Sequence, residues 1–577
     1  MPNQRPSLKL TGVPAAPGIS DGPSFLYREQ AITIPHYEIE DLDTELQRFE
    51  HALTTADVQI EKLRAKAESE TGVDEAAIFD AHALFLQDPT LISAVQEAIH
   101  ERKTNVEAAW MEAIEENAAK MEALEDEYFR ARAMDIRDVG QRVLRILLDL
   151  TESDLSALKT PSIILARDLT PSDTVRIDKS LVLGFCTAEG GPTSHTAILA
   201  KALGLSAVVG LGPSILEIKN GTPILVDGEK GEIVVFPDGD TVTEFEARRR
   251  DAEIESETDK TMALEPAITK DGHQVEIVAN IGSIEEAKKA LSLGAEGVGL
   301  LRTEFLYLDR ATAPSEDGQW KAYQSIMEIM GEHPVIVRTL DVGGDKEVPY
   351  LKMRKEANPF LGWRAIRMSL DQPKLFKTQL RALLRASPNH DLRIMFPMIA
   401  TLRELRRARD LLQEAREEVI AAGHPIAEEI QVGIMVEIPS VVILADLFAR
   451  EVDFFSIGTN DLTQYTMAAE RTNEKVIHLG DACHPAILRQ IGQIINVAHD
   501  QGIWVGLCGE LASDPEAIPI LLGMELDEFS MAPSSIPRAK AIIRKWSLKG
   551  AKKLAAQTIK FDSAEAVREK VKNSQPL

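Results

Sequence analysis

From about Val275 onward, short runs rich in β-branched and other apolar residues alternate with helical stretches: Val275–Ile281, Gly297–Phe305, Val335–Asp341, Leu392–Met398, Gln431–Glu437, Asp453–Thr459, Ile503–Gly509 and Glu528–Ala532. Eight strand-like runs separated mostly by helices leave few ways to bury every strand, and the expected arrangement is a (β/α)8 barrel. Barrels of this kind gather their chemistry at the C-terminal ends of the strands. Here the second run ends in Arg302-Thr303-Glu304, the third in Arg338-Thr339-Leu340-Asp341 and the fifth in Glu437. The sixth leads into Gly458-Thr459-Asn460-Asp461 and the seventh into Cys508-Gly509-Glu510. Arginines, carboxylates, an amide and a thiol on one rim are hard to explain as packing.

The groups themselves define a chemistry. Arginine forks bind carboxylate and phosphate oxygens two at a time. Arg364, at the end of Asn358-Pro359-Phe360-Leu361-Gly362-Trp363-Arg364, and Arg471 would complete a cationic cage with Arg302 and Arg338. Glu437 and Asp461 offer hard oxygen ligands, too few for a closed cage, which suits Mg²⁺ with substrate and water filling its other positions. Cys508 carries a thiol that titrates near working pH and so can give or take a proton. A small substrate bearing a carboxylate, a phosphate and a carbon to be protonated would use all of these groups, and phosphoenolpyruvate is such a molecule.

Upstream, the pattern changes twice. Gly12 to Gly22 is turn-rich and opens a small β-containing unit, whereas Ile39 to Leu148 is acidic, nearly free of Gly and Pro, and helical in period, as at Leu42, Leu46, Phe49 and Leu53. Strand-like runs resume at Pro161–Ala166, Leu181–Phe185, Ala207–Val209, Thr222–Val226 and Glu232–Phe236. The helical segment is therefore an insertion in an α/β unit, and the charged, Gly-free run from Glu244 to Leu264 is a helical linker. Within the α/β unit, Gly190-Gly191-Pro192-Thr193-Ser194-His195 opens a helix capped by Thr193 or Ser194 and ended by Gly204, with a strand at Ser206 to Val209. His195 thus stands at a helix N-terminus, which favours an anion and a neutral, nucleophilic imidazole. The formal net charge of -27 argues against nucleic acid and anionic membranes and is compatible with a basic protein partner. No run of apolar residues is long enough to span a bilayer, the N-terminus lacks a signal-peptide core, and the three cysteines are too scattered for a disulfide framework. A cytoplasmic protein is expected.

Two stretches carry a family resemblance. The histidine segment resembles the phosphohistidine signature of phosphoenolpyruvate-utilising enzymes, and Asp453-Phe454-Phe455-Ser456-Ile457-Gly458-Thr459-Asn460-Asp461-Leu462-Thr463-Gln464-Tyr465 resembles their barrel signature. With Gly297 to Phe305 and Asn358 to Arg364, the likeness is greatest to the enzyme I group of the bacterial phosphotransferase system, over nearly the whole chain. The dikinase and synthase branches need a large nucleotide-binding domain before the phosphohistidine domain, and only about 150 residues, mostly helical and without a P-loop, precede that domain here. The resemblance implies a multidomain α/β chain. A swivelling phosphohistidine α/β domain (1–36 and 149–240) would carry an inserted helical domain (37–148) that binds the histidine phosphocarrier HPr. A linker (241–268) would then lead to a phosphoenolpyruvate-binding TIM barrel (269–577) that forms a homodimer.

It also implies roles. His195 would be phosphorylated, with Thr174 orienting its ring; Glu437 and Asp461 would hold Mg²⁺; and Arg302, Arg338, Arg364, Asn460, Asp461 and Arg471 would bind phosphoenolpyruvate. Cys508 would protonate the enolate to pyruvate, and Arg132 would belong to the HPr-docking surface. Pro192, Lys201 and Glu470 depart from the group's frequent residues, which bears on partner preference and helix-start geometry and not on the reaction. Two rivals differ in acceptor or in kind: transfer to a small molecule, which the helical insertion argues against, and a non-enzymatic regulatory paralogue, which the intact set of site residues argues against.

Overall fold

The computed structural model describes residues 7–28, 32–70, 73–122, 127–150, 158–191, 194–307, 312–343, 350–351, 356–470, 473 and 476–574. The chain divides into two compact units, Met1–Glu253 and Ile254–Leu577.

The second unit is a closed parallel barrel. Its strands are Gln274–Ile281, Val298–Leu301, Val335–Arg338, Leu392–Phe396, Val432–Val436, Phe454–Ile457, Trp504–Leu507 and Glu528–Met531. Each pairs with the next, and the first pairs with both the second and the eighth, so the sheet has no free edge. All eight expected runs contain a strand; the first begins one residue earlier than expected, and the other seven are shorter. Gly297–Phe305 contributes only Val298–Leu301 before a 3-10 turn at Glu304–Leu306. Toward the C-terminal rim the inter-strand rungs give out and the remaining residues of each run pass into loops, which is where the polar residues lie. Helices are set by ordinary signals: Thr401 and Glu404 form a capping box for Leu402–Ala421, and Leu405, Ala408, Leu411, Ala415 and Val419 bury one stripe of it.

Strand alternation sorts the barrel interior. Leu300, Ile336, Met395, Met435, Phe454 and Cys508 form one cluster in the lumen, while Val335, Val337, Ile434 and Val436 belong to the larger core that includes the surrounding helices. Phe454 and Trp504 stack at 4.6 Å, and the Arg393 guanidinium lies over Trp504.

Among the described residues the first unit holds a mixed eight-stranded sheet and, between its third and fourth strands, five long helices. Three of its strands, Leu8–Thr11, Val13–Ala16 and Ile19–Leu26, precede the helices, so the turn-rich segment from Gly12 is mostly strand, with Gly12 and Gly18 between strands and Gly22 inside the third. The helices Leu42–Glu70, Val73–Leu86, Pro89–Arg102, Val106–Glu122 and Glu127–Leu147 pack on Phe49, Ile99 and Trp110. Asp88 caps the third, whose first residue is Pro89. Trp110 Nε1 donates to the Gly140 carbonyl at 2.9 Å, and a Cβ at Gly140 would lie 2.6 Å from Ile114, so the last two helices meet where only glycine fits. The chain then returns to the sheet with Ser162–Ala166, Val182–Thr187, Ser206–Val209, Pro223–Asp227 and Glu232–Val235. A single helix, Gly239–Thr261, spans the boundary between the units. Among the described residues no helix is long and apolar enough to cross a membrane.

Candidate active site

The same alternation that fills the lumen delivers the polar groups. Two residues beyond Leu300, Ile336 and Met435 stand Arg302, Arg338 and Glu437, and two beyond Gly506 stands Cys508. Each is the next residue of the lumen-facing set, just where its strand opens into the rim. They surround a cavity of about 150 Å³, which Arg364, Asn460, Asp461 and Asp341 also line. The structure thus brings together Arg302, Arg338, Arg364, Glu437, Asn460, Asp461 and Cys508. Arg471 lies outside the described residues.

The arginines are held by carboxylates. Arg338 donates to Glu304 Oε1 at 3.0 Å and pairs with Asp341 Oδ2 at 3.0 Å. Arg364 donates to both Asp341 oxygens, at 3.1 and 3.2 Å, and to Asp461 Oδ1 at 3.2 Å. Asp341 is therefore shared by two buried guanidinium groups, which fixes their forks before any ligand arrives. Arg302 stands exposed at the rim. Ala365, in a left-handed conformation (φ 50°), sets the turn that aims Arg364 inward, and its N–H is tied to the Val342 carbonyl.

Glu437 is 1 % exposed, and its Oε1 accepts from the Met398 N–H at 2.5 Å, Met398 being itself left-handed (φ 55°). Burial, with the charges of Asp461 and Asp341 adding to it, pushes the Glu437 carboxyl well above the usual carboxylate range. Two carboxylates repelling each other in a closed space suit a divalent cation, with oxygen ligands from a small substrate and water completing its shell. Cys508 is 6 % exposed, and burial pushes its thiol up to about 11. A thiol raised in this way is held protonated at neutral pH, which is the form that gives a proton.

Asn460 and Glu510 bind each other reciprocally: Asn460 Nδ2 donates to Glu510 Oε1, and the Glu510 N–H donates to Asn460 Oδ1, both at 3.2 Å. Glu304, Asp341 and Glu510 stand at the expected strand ends with no role assigned to them, and Met398 closes the fourth expected run with nothing to mark its N–H as a partner of Glu437. A backbone N–H aimed by a left-handed residue leaves no sequence signal unless glycine or asparagine marks it.

In the first unit, His195 is the first residue of the helix His195–Leu203; Ser194 caps it, accepting from the Ala197 N–H, and Gly204 ends it at φ 66°. Thr193 lies outside the described residues, as does the His195 side chain. Thr196, fully buried, donates to Asp168 Oδ1 at 3.1 Å and so pins the helix start to the loop after Ser162–Ala166. Thr174 sits on the short helix Pro171–Arg176, which packs against the histidine helix. Its hydroxyl donates to the Pro171 carbonyl at 2.7 Å, so toward any further group it is an acceptor. Arg132 falls in the helix Glu127–Leu147, its side chain outside the described residues.

Three family models match the chain: "PEP-utilising enzyme, PEP-binding domain" over residues 256–548, "PEP-utilising enzyme, N-terminal" over 11–132, and "PEP-utilising enzyme, mobile domain" over 158–231. Curated relatives extend the likeness to full length. A Bacillus subtilis protein is 45% identical over 559 residues, 97% of this chain and 98% of its own. One from Geobacillus stearothermophilus is 45% identical over 565 residues, 98% of each chain. One from Staphylococcus carnosus is 43% identical over 559 residues, 97% of this chain and 98% of its own. All three bear the name phosphoenolpyruvate-protein phosphotransferase.

Proposed function

The chain belongs to the PEP-utilising enzymes, and from that membership we propose that it is a phosphoenolpyruvate–protein phosphotransferase whose phosphoryl group passes through His195 to the carrier HPr. The observation that carries this reading is the barrel cavity, in which buried arginines, paired carboxylates and a protonated thiol face a space sized for a three-carbon phosphate ester.

Arg302, Arg338, Arg364 and Arg471 take the carboxylate and phosphoryl oxygens of the substrate, and Asn460 adds an amide donor. Because Asp341 already orders Arg338 and Arg364, the substrate meets forks that need little rearrangement. Glu437 and Asp461 would hold Mg²⁺, which when bound supplies positive charge to the phosphoryl oxygens. His195, neutral at its helix start, attacks phosphorus and the enolate of pyruvate leaves. Cys508 then protonates the methylene carbon of that enolate, and pyruvate departs. Thr174, an acceptor in its present hydrogen bonding, would help orient the His195 ring. The phosphoryl group next moves to a histidine of HPr docked on the helices that include Arg132, consistent with the acidic balance of the chain. The barrel unit forms a homodimer, for which the exposed Ile443, Leu444 and Leu447 offer apolar surface. The protein works in the cytoplasm.

The test is incubation with Mg²⁺ and labelled phosphoenolpyruvate, with the label mapped by mass spectrometry under alkaline conditions that preserve phosphohistidine. Label on His195 that appears together with pyruvate and chases onto HPr is the expected result. Label that stays on His195 when HPr is added overturns the acceptor, and absence of label from protein that binds Mg²⁺ overturns the enzyme.

A further inference from the structure

The seventh barrel strand loses its eighth-strand partner one residue before the thiol. Its rungs to the eighth strand are Gly506 with Glu528 and Leu507 with Phe529. The carbonyl of Cys508 has therefore left the ladder in a buried region, where an acceptor calls for a donor. A side chain provides it. Asn280 Nδ2 donates to the Cys508 carbonyl at 3.0 Å, and Asn280 Oδ1 accepts from Ser530 Oγ at 2.6 Å. Asn280 is the penultimate residue of the first strand, and Ser530 lies on the eighth. One carboxamide thus reaches from the first strand, past the eighth, to the peptide that carries the thiol.

On its other side the chain flanking that peptide is held by the sixth strand and the helix after it. The Cys508 N–H donates to the Ile457 carbonyl at 3.0 Å, and the Glu510 N–H donates to Asn460 Oδ1. Gly509 lies so close to Thr459 that a Cβ there would stand 1.9 Å from its Oγ1. Remove Asn280, and among the described residues the Cys508 carbonyl has no hydrogen bond on the side of the first and eighth strands. Asn280 does not line the cavity, so whatever it does for the reaction it does through that peptide.

We propose that Asn280 is a positioning residue that holds the Cys508 thiol over one face of the enolate. The proposal rests on the reading of Cys508 as the proton donor. In that step the S–H bond breaks and a C–H bond forms at the methylene carbon of the enolate. The thiolate left behind regains its proton from water. The enolate carbon is protonated from whichever face meets the donor, so a displaced thiol lowers both the rate and the facial selectivity.

The test compares Asn280→Ala, Asn280→Asp and Cys508→Ala in the full chain. Asn280→Ala is expected to lower kcat for pyruvate formation about 10- to 100-fold while KM for phosphoenolpyruvate stays within about twofold. Transfer from the phosphorylated protein to HPr should be unchanged. Stereospecifically 3-deuterated phosphoenolpyruvate turned over in tritiated water should give eroded facial selectivity, and iodoacetamide should alkylate Cys508 faster at fixed pH. Asn280→Asp keeps the acceptor for Ser530 but sets an oxygen against the Cys508 carbonyl, and should show the same losses even if the alanine variant folds poorly. Native kcat and native selectivity in both Asn280 variants overturn the proposal. So does an equal loss in both half-reactions with selectivity intact, the mark of a merely structural residue. Native pyruvate formation by Cys508→Ala removes the proton-donor reading and this proposal with it, whereas a slow Cys508→Ala beside a native Asn280→Ala removes this proposal alone.

Discussion

Cys508 shows how a single residue takes its role from its surroundings. Nothing about a cysteine in the sequence says whether it donates or accepts a proton; burial decides it by pushing the thiol up to about 11. The consequence is measurable in the folded protein. Alkylation of Cys508 by iodoacetamide, followed by peptide mass spectrometry, should rise about tenfold per pH unit from pH 7 to 9.5 without levelling, because only the thiolate reacts. A curve that bends over near pH 8.5 would mean an ordinary thiol and not one raised by burial. Poor access would lower every rate equally but leave the slope, so the two effects separate. The rim residues themselves were legible beforehand because strand alternation and the barrel rule both operate on sequence: Arg338 follows Ile336 by two, and Glu437 follows Met435 by two. What was not legible is which groups hold them. Asp341 meets Arg338 three residues away, but Glu304 reaches Arg338, Asp341 reaches Arg364 and the Met398 N–H reaches Glu437 across tens of residues, and no local pattern encodes those meetings.

Among the elements, the eighth strand carries a buried acid that costs the fold stability. Glu528 begins it, pairs in register with Glu276 of the first strand and is 1 % exposed, and its Oε1 has no hydrogen-bond partner among the described residues. Gly506 opposite it leaves room for that carboxyl: a Cβ there would stand 2.6 Å from the oxygen. Burial, then the charge of Glu276, pushes Glu528 up to about 8 against the pull of Arg393, with Asp527 adding to the push. A carboxyl raised in the folded state contributes stability that is complete below the ordinary carboxylate range and is lost as pH climbs through about 8. Glu528→Gln, which keeps the shape without the charge, should therefore raise stability in urea melts by about 1–3 kcal/mol at pH 8.5 and by much less at pH 5. Equal effects at the two pH values would show that charge at Glu528 is not the cause. Sequence indicated a strand at Glu528–Ala532 but gave no warning of a buried acid within it, since a glutamate at a strand start is ordinarily solvated. The short helix starts were easier: Ser194 and Gly204 bracket the histidine helix just as cap chemistry requires, because capping is decided within a few residues.

At the scale of the molecule, the residues assigned to the reaction belong to different compact units. His195 and Thr174 lie within Met1–Glu253, whereas every described residue of the arginine-lined cavity lies within Ile254–Leu577. The helix Gly239–Thr261 is anchored separately at its two ends. Its first half is tied by Arg248 to Asp227 and by Phe245 among Leu225 and Val234, and its second by Glu255 and Asp259 to Arg538. Units with their own cores unfold as their own transitions, so a ligand that binds one should stabilise that one. His195→Gln blocks consumption of the substrate and makes the binding visible by itself. In that variant, Mg²⁺ and phosphoenolpyruvate at about 100-fold excess over Kd should stabilise the barrel unit by about 2.7 kcal/mol in scanning calorimetry and leave the transition of the first unit where it was. Adding Arg364→Ala, which takes away the fork held by Asp341 and Asp461, should abolish the ligand-induced part of the shift whatever it does to the starting stability. If His195→Gln loses the shift, the histidine is part of the binding site and the separation of binding from acceptance fails. If both transitions move together, the units do not bind as independent bodies. A shift confined to the barrel and removed by Arg364→Ala means that the substrate is captured by one unit alone, and that His195 enters only when the phosphoryl group is ready to leave.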